Sequence, residues 1–534
     1  MAKEGGLVRY NAQKIITGPQ EHVIGDLIVM PDWPRSQKIG PKGVPICRQE
    51  WFLQMCKDHH IELPGFMPPA LEMASMQFLR NIYSEYRNSH SGQEPDWMSR
   101  LSARQKVTVR WEYWIQDAPI EQRLIVPGFE LTGIGYLIED DGFIRDVCNA
   151  FGLWRLGGIK QLGFLHDPTI RQKELPTYAS TFSHTRFLHS IDVGVLATLI
   201  GLNNGLSGQG LLTLRTAALS HDWRTPAGGD TIKAVDPGLF DEDRHYNEKF
   251  SSAGFKEFQR KYGINQKTLC SVIMQQGAMG RILDLADKLS YTARDVGYLL
   301  YQNPERDDIP FCYEFRRIRE MLKVNPLICS IWDCARISGN ILAIDDAGRL
   351  ADFLKLRALM FRTLYYNPAS RFLEDGLVKV LAKYLYRRKI ITLKQLLTFG
   401  DQWLMEIMDK TIGQFYFFNL VSNYLNPRIE RFATLKEVYK RERELLEEPG
   451  IMTHVDESKL SKSSGLSDFM VWENGKATAF ADARPKEAEE IRAITRTAQP
   501  FFLYIYSIDK LRFPKGLAQD IRRDRLLHLA EIAG

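Results

Sequence analysis

The sequence predicts a mainly α fold: a helical bundle core with an N-terminal accessory segment and a small C-terminal α+β lobe. Two observations carry this reading. From residue 142 to about 424, apolar side chains recur at three- and four-residue spacing, interrupted by turn residues such as Gly205-Leu206-Ser207-Gly208. Beyond residue 430 the pattern changes to one charged helix followed by strand-like runs. With 534 residues, 44% hydrophobic and 25% charged, the chain has material for a large core and several domains.

Taken in order, residues 1–135 form the accessory region. Prolines and glycines between 31 and 45 break it up, 71–86 has helical periodicity and 107–114 alternates like a short strand. Residues 136–430 are the body. Within it, Phe187, Leu188, Ile191, Val195 and Leu199 predict one helix, an apolar stretch from Leu211 to Leu219 a second, and 282–300 a third. Residues 431–534 are the C-terminal lobe, with a charged helix at 435–447 ended by Pro449-Gly450 and strand-like runs at 469–472 and 500–506. No internal repeat or low-complexity tract is present.

Composition excludes several classes. A net charge of +5 does not announce a nucleic-acid binder, so an anionic ligand would need a local basic pocket. Seven scattered cysteines do not form a disulfide framework and suit a reducing compartment. No apolar run approaches the roughly 20 residues that span a bilayer, and the first residues lack the apolar core of a signal peptide. The expected location is the cytoplasm, with no membrane partner.

The chemistry sits in a few polar residues on apolar helices. Ala217-Ala218-Leu219-Ser220-His221-Asp222 closes an apolar stretch, so its His-Asp pair is delivered toward the interior. Buried, such groups must be paired or bound to a metal. A His-Asp dipeptide alone says little, and His166-Asp167, followed by Pro168, reads as a loop. His189 supplies a second imidazole, with Arg186 one turn earlier, although taken alone a core histidine beside a surface arginine is the simpler reading. On 282–300, Asp284, Asp287, Lys288, Tyr291, Arg294 and Asp295 recur opposite the apolar Leu285, Leu289, Val296 and Leu299. A solvated face is the plain reading of that stripe. Tyr291 among acids and bases suits a phosphate-lined pocket instead.

His189, His221-Asp222 and Asp287 reproduce the His…His-Asp…Asp order of the HD superfamily of metal-dependent phosphohydrolases, which the chain resembles. More narrowly it resembles the deoxynucleoside triphosphate triphosphohydrolases, the branch that includes the SAM-and-HD-domain proteins. The closer likeness lies in Leu156-Gly157-Gly158-Ile159-Lys160-Gln161-Leu162-Gly163, Thr185-Arg186-Phe187-Leu188-His189-Ser190, Asp287-Lys288-x-x-Tyr291-x-x-Arg294-Asp295, and Phe361-Arg362-Thr363-Leu364-Tyr365-Tyr366-Asn367-Pro368. It spans about residues 143–425. The resemblance implies an HD-type helical domain with His189, His221, Asp222 and Asp287 as ligands of one divalent transition metal (Mn, Fe, Co or Zn), Mg accompanying the substrate phosphates. It implies water attack on the α-phosphorus, releasing nucleoside and triphosphate. Arg186, Lys288 and Tyr291 would neutralise phosphate oxygens. Gln161, Leu162 and Asp295 would contact the sugar, Tyr365 would pack on sugar or base, and Arg362 is a further phosphate candidate. Relatives form dimers, tetramers or hexamers, which implies a homo-oligomer.

The chain departs from the family in one place. Where relatives carry histidines after the His-Asp pair, it reads Trp223-Arg224-Thr225-Pro226-Ala227-Gly228-Gly229-Asp230-Thr231. His245 is the nearby candidate for general acid, and Arg224 or Asp230 the other stand-ins. The departure keeps other readings open: a nucleotidase, a phosphodiesterase, a single-strand nuclease, or a slow nucleotide-sensing protein of regulation or defence. Weaker signals are Cys47, Cys56, His59 and His60, which fit no zinc-ligand spacing, and the basic runs Arg387-Arg388-Lys389 and Arg522-Arg523-x-Arg525. Those runs would suit a nucleotide effector or single-stranded nucleic acid, and favourable charge at a helix C-terminus explains the first equally well.

Overall fold

Apolar residues at helical spacing become a buried bundle in the computed structural model of the chain. It describes residues 143–163, 184–302 apart from 234 and 241–244, 312–366, 378–412, 428–456 apart from 449, most of 466–496, 501–507, and short pieces before 139 and after 515. The periodic segments at 71–86 and 107–114 lie outside the described residues. The bundle runs through α1 (Phe143–Phe151), α2 (Arg186–Asn203), α3 (Gly208–Ser220), α4 (Ala253–Tyr262), α5 (Gln266–Ile273), α6 (Gly277–Gln302), α7 (Cys312–Val324) and α8 (Ala347–Met360). Side-chain caps start several of them: Thr185 accepts the Leu188 amide at α2, Ser252 that of Phe255 at α4, and Asp346 that of Arg349 at α8.

Helix α2 is the axis of the bundle. It packs between α3, α6 and the 3-10 turn Leu153–Gly158, so Arg186, His189, Ser190 and Asp192 are buried along with its apolar residues. Its approach to α3 depends on Gly194, where a Cβ would stand 2.7 Å from the Leu219 side chain. One continuous core follows, from Phe143 and Phe151 through Leu188, Leu219 and Leu289 to Phe353 and Leu356.

Among its described residues the body is helical almost throughout, as the periodicity reads, with one hairpin that the periodicity does not mark. Strand β3 (Ala335–Ser338) turns back onto β4 (Ile341–Ile344), with Ser338 opposite Ile341 and Gly339-Asn340 as the two-residue turn. Gly339 has φ +60°, the conformation a tight hairpin requires at that place. Alternation over eight residues is shorter than the helical windows around it, which hid the hairpin. Earlier, β1 (Leu27–Met30) pairs antiparallel with β2 (Gly135–Ile138).

The C-terminal third divides into two parts. Strands β7 (Met470–Glu473) and β8 (Lys476–Ala479) extend the β3–β4 hairpin into a sheet of order β8-β7-β4-β3. The helix Pro485–Arg496 packs on α8, placing Ala488, Ile491 and Ile494 in the main core. The rest is a separate layer: β5 (Arg428–Phe432), β6 (Ile451–Asp456) and β9 (Phe501–Ser507) form an antiparallel sheet of order β5-β9-β6. The helix Leu435–Leu446, begun by a Thr434/Glu437 capping box, covers it through Val438 and Leu445. Inside that layer the buried Glu442 takes Arg525 through Nε at 2.9 Å and Nη2 at 2.7 Å, while Arg522 donates to the Leu446 carbonyl. These two arginines therefore tie the chain end to the helix.

A buried carboxylate joins the bundle to the helix Asp401–Ile412. Asp401 is fully buried; its Oδ2 accepts the Lys160 amide at 2.8 Å and its Oδ1 the Gly228 amide at 2.6 Å. Beside it Gly400 lies so close to Gly158 that a Cβ would fall 2.6 Å from the Gly158 carbonyl. One side chain thus fixes both the loop before α2 and the loop after Asp222. Asp401→Ala leaves two buried amides without partners and is expected to cost about 3 kcal/mol of unfolding free energy, read from denaturant midpoints, with Asp401→Asn costing less. No described helix is long and apolar enough to cross a membrane.

Candidate metal centre

Three helices end their polar residues at one point. His189 lies on the first turn of α2, His221 caps α3, and Asp287 is on the inner face of α6. Their ligand atoms all fall within 4.8 Å of one another. The His189 and His221 Nε2 atoms are 3.3 Å apart, and Asp287 Oδ1 is 2.9 Å from the first and 3.8 Å from the second. Neighbouring ligands on an ion with bonds of about 2.1 Å stand roughly 3.0 to 3.4 Å apart; two of the three distances match and the third, 3.8 Å, is wider, so the group could hold one divalent ion.

The imidazoles are also oriented for it. His221 Nδ1 lies 2.8 Å from the Ala218 carbonyl, which can only accept, so the ring proton sits on Nδ1 and leaves the Nε2 lone pair for the shared point. His189 Nδ1 is held 3.0 Å from Ser290 Oγ. Asp222 stands a step farther out. Its Oδ2 is 4.0 Å from His189 Nε2 and 3.7 Å from His221 Nε2, and it accepts Arg186 Nη1 at 2.8 Å. Burial works to raise its pKa, yet Arg186, His221, Lys233 and His189 together hold the carboxyl well below the usual range. Asp287 is likewise lowered: burial opposes, and the hydrogen bond and charge of His189, with His221, prevail.

Around this group the remaining predicted residues fall into two sets. Arg186 Nη2 forms an ion pair with Asp230 Oδ2 at 2.7 Å that lacks hydrogen-bond alignment, and Asp230 lies on the short helix Gly229–Lys233. Lys233, which the sequence reading passed over, lies 3.7 Å from Asp222 and 3.8 Å from Asp230. Its place three residues after Asp230 was the available signal. Along α6, Tyr291 accepts Arg357 Nε at 2.8 Å, and Tyr365 donates to Asp295 Oδ2 at 2.5 Å. The Tyr291 and Tyr365 rings meet edge to face at 6.3 Å. Arg357 and the fully buried His184, 3.6 Å from Asp295 Oδ1, join this second cluster without a sequence motif to announce them. Burial raises Asp295 to about 8, against the bond from Tyr365 and the charge of Arg186. Burial, with the nearby cations, pushes His184 well below its ordinary value.

Gln161 and Leu162 form the turn beside α2. The Gln161 backbone N–H donates to the His184 carbonyl at 2.7 Å, its Oε1 is buried without a partner among the described residues, and Leu162 packs on the main core. Arg362 and Tyr365 lie on a π turn, Phe361–Tyr365, that continues α8. Lys288 is engaged by Asp284 at 2.6 Å and Asp468 at 3.7 Å, over the Phe469 ring. His245 bonds Glu248 at 2.8 Å rather than any residue of the metal group; its neighbour Tyr246 donates to the carbonyls of Ser220 and His221. Arg224 turns away to the Leu239 carbonyl and Glu248. Cys47, Cys56, His59 and His60 lie outside the described residues.

No family model and no curated protein matches this chain. Among solved structures it is similar to a hypothetical protein from Aquifex aeolicus, at 15% identity and TM-score 0.48, covering 74% of this chain and 98% of that one. It is also similar to a phosphohydrolase from Bacteroides thetaiotaomicron, at 15% identity and TM-score 0.45, covering 70% of this chain and 97% of that one.

Two outcomes test the site. Protein purified with His189→Ala or Asp287→Ala is expected to lose at least tenfold in bound Mn, Fe, Co or Zn by elemental analysis, the order of effect of removing part of a metal shell. The second concerns Asp295, whose folded pKa is raised from 3.8 to about 8. Its contribution to stability is complete below the lower value and is lost as pH rises toward the upper one. Asp295→Asn should therefore gain stability relative to the parent between pH 5 and pH 8, measured as denaturant midpoints.

Proposed function

We propose that the protein is a metal-dependent phosphohydrolase of nucleotides, most concretely one that converts a deoxynucleoside triphosphate to deoxynucleoside and triphosphate. The observation that carries this is the convergence of His189, His221 and Asp287 on one point, with Asp222 and the Arg186 guanidinium beside it. A divalent ion held there supplies Lewis acidity and an activated water. Everything else is the work of side chains. His221 and His189 present Nε2 because Ala218 and Ser290 hold their Nδ1 atoms. Arg186 neutralises phosphate oxygens next to the ion. On α6, Asp287, Tyr291 and Asp295 recur one turn apart over about 12 Å, a polar strip long enough to run from a phosphate to a sugar. Asp295, neutral near pH 7, can donate a hydrogen bond to a sugar hydroxyl as well as accept one. Tyr365, bonded to it, closes the strip at the sugar end.

A second reading has its own observation. The run 223–231 holds no histidine, and the described bond of His245 runs from Nδ1 to Glu248 and not to the metal group, so no described contact assigns a general acid to the leaving group. A slow nucleotide-sensing protein would keep the metal and the strip without that group.

Incubation with a panel of deoxy- and ribonucleotides under Mn, Fe, Co and Mg, with products resolved by chromatography, is expected to show free triphosphate from deoxynucleotides. Asp287→Ala should lower turnover by at least a hundredfold, about 2.7 kcal/mol of barrier. Inorganic phosphate or mononucleotides as products would overturn the triphosphohydrolase step, and nucleotide binding without turnover would favour the sensor.

A further inference from the structure

Arg186 and Lys233 face the metal group as a pair of cations bridged by acids of unequal standing. Asp222 is buried and shared with the imidazoles. Asp230 is different: its side chain is 59% exposed, against 6% for Arg186 and 20% for Lys233, yet it takes Arg186 Nη2 at 2.7 Å and lies 3.8 Å from Lys233 Nζ. Its exposure means that rotating the Asp230 carboxylate into water carries little desolvation or packing cost, whereas moving Arg186 or Asp222 carries both. A phosphate oxygen offers the same charge and the same acceptor geometry to the guanidinium fork as a carboxylate oxygen does.

We infer that Asp230 occupies the place of a substrate phosphate and is displaced by it, leaving Arg186 Nη2 and Lys233 Nζ as the cations that bind that phosphate. This deepens the proposed function and rests on its reading of the site as one for phosphate esters. In the exchange, Arg186 keeps Nη1 on Asp222, so one rigid side chain ties the bound phosphate to the metal-side carboxylate. Lys233 then supplies positive charge just after the run 223–231 that has no histidine, a role the sequence reading had not given to Lys233. The acid also acts as a filter: a ligand with less negative charge than a phosphate cannot compete with Asp230 for two cations.

The test uses inorganic triphosphate binding to chelator-treated full-length protein by calorimetry, so that no turnover is needed. Asp230→Asn is expected to bind triphosphate about tenfold more tightly than the parent, the size of one charge-assisted contact freed from competition. Lys233→Gln should bind it about tenfold more weakly, and Lys233→Arg should restore most of the loss. Thermal melting of each variant establishes that it is folded. Equal affinity of Asp230→Asn and the parent, or of Lys233→Gln and the parent, overturns the inference even if nucleotides are hydrolysed. The expected binding order in a protein that hydrolyses no nucleotide leaves the anion site standing and overturns the proposed catalysis.

Discussion

The constraint on which this structure depends is the burial of charged and polar groups at the meeting of α2, α3 and α6. Helices α2 and α3 are apolar over most of their surface and α6 carries an apolar stripe beside its polar one, so packing them removes from water the polar residues on their facing sides. His189, Arg186, Asp192, Asp222, Arg294 and Asp295 all become buried this way. A charge removed from water and left unpaired costs several kcal/mol, more than a helix contact returns. The groups must therefore satisfy one another, and the arrangement that does so defines where the three helices cross.

That requirement explains the ancillary features. Gly194 lets α2 and α3 approach until His189 and His221 Nε2 are 3.3 Å apart. Asp401, from a helix far along the chain, holds the amides of Lys160 and Gly228, and so sets both loops that flank the metal group. Arg155 continues the same clamp by donating to the carbonyls of Thr225 and Trp223. The loop after the His-Asp pair is thus held at Thr225 and Gly228 while the exposed Asp230 carboxylate beyond it stays at the surface. A site needing an ion and a ligand in register gains from loops fixed by buried contacts.

The sequence made the helices legible because apolar period and caps agree. The predicted helix at 435–447 is observed as Leu435–Leu446 with its Thr434 cap, and 282–300 as the middle of Gly277–Gln302. It also singled out His189, His221 and Asp287, which the structure brings together, since a histidine or aspartate on an otherwise apolar helix face needs a partner. Partner identity was not legible. Arg294 belongs by spacing to the polar stripe, yet it binds Asp192 through Nε at 2.6 Å and Nη2 at 2.8 Å. Lys233 and His184 reach their partners only through the folded loops, and the β3–β4 hairpin is too short to outweigh the helical signal around it. Such pairings depend on which helices lie together, a property of tertiary contact that local spacing does not carry.

The same physics separates the cations that hold the fold from those that can meet a ligand. Arg294 and Asp192 are both almost wholly enclosed, and their bidentate pair could open only by leaving two buried charges without partners. Arg186 is equally enclosed, but one of its two acidic partners is Asp230, which stands mostly in water. Lys288 repeats the pattern with the enclosed Asp284 and the half-exposed Asp468. A buried cation with one exposed acidic partner can trade that partner for an incoming anion while its charge stays neutralised throughout. The buried cation itself then keeps an anionic partner before and after the exchange.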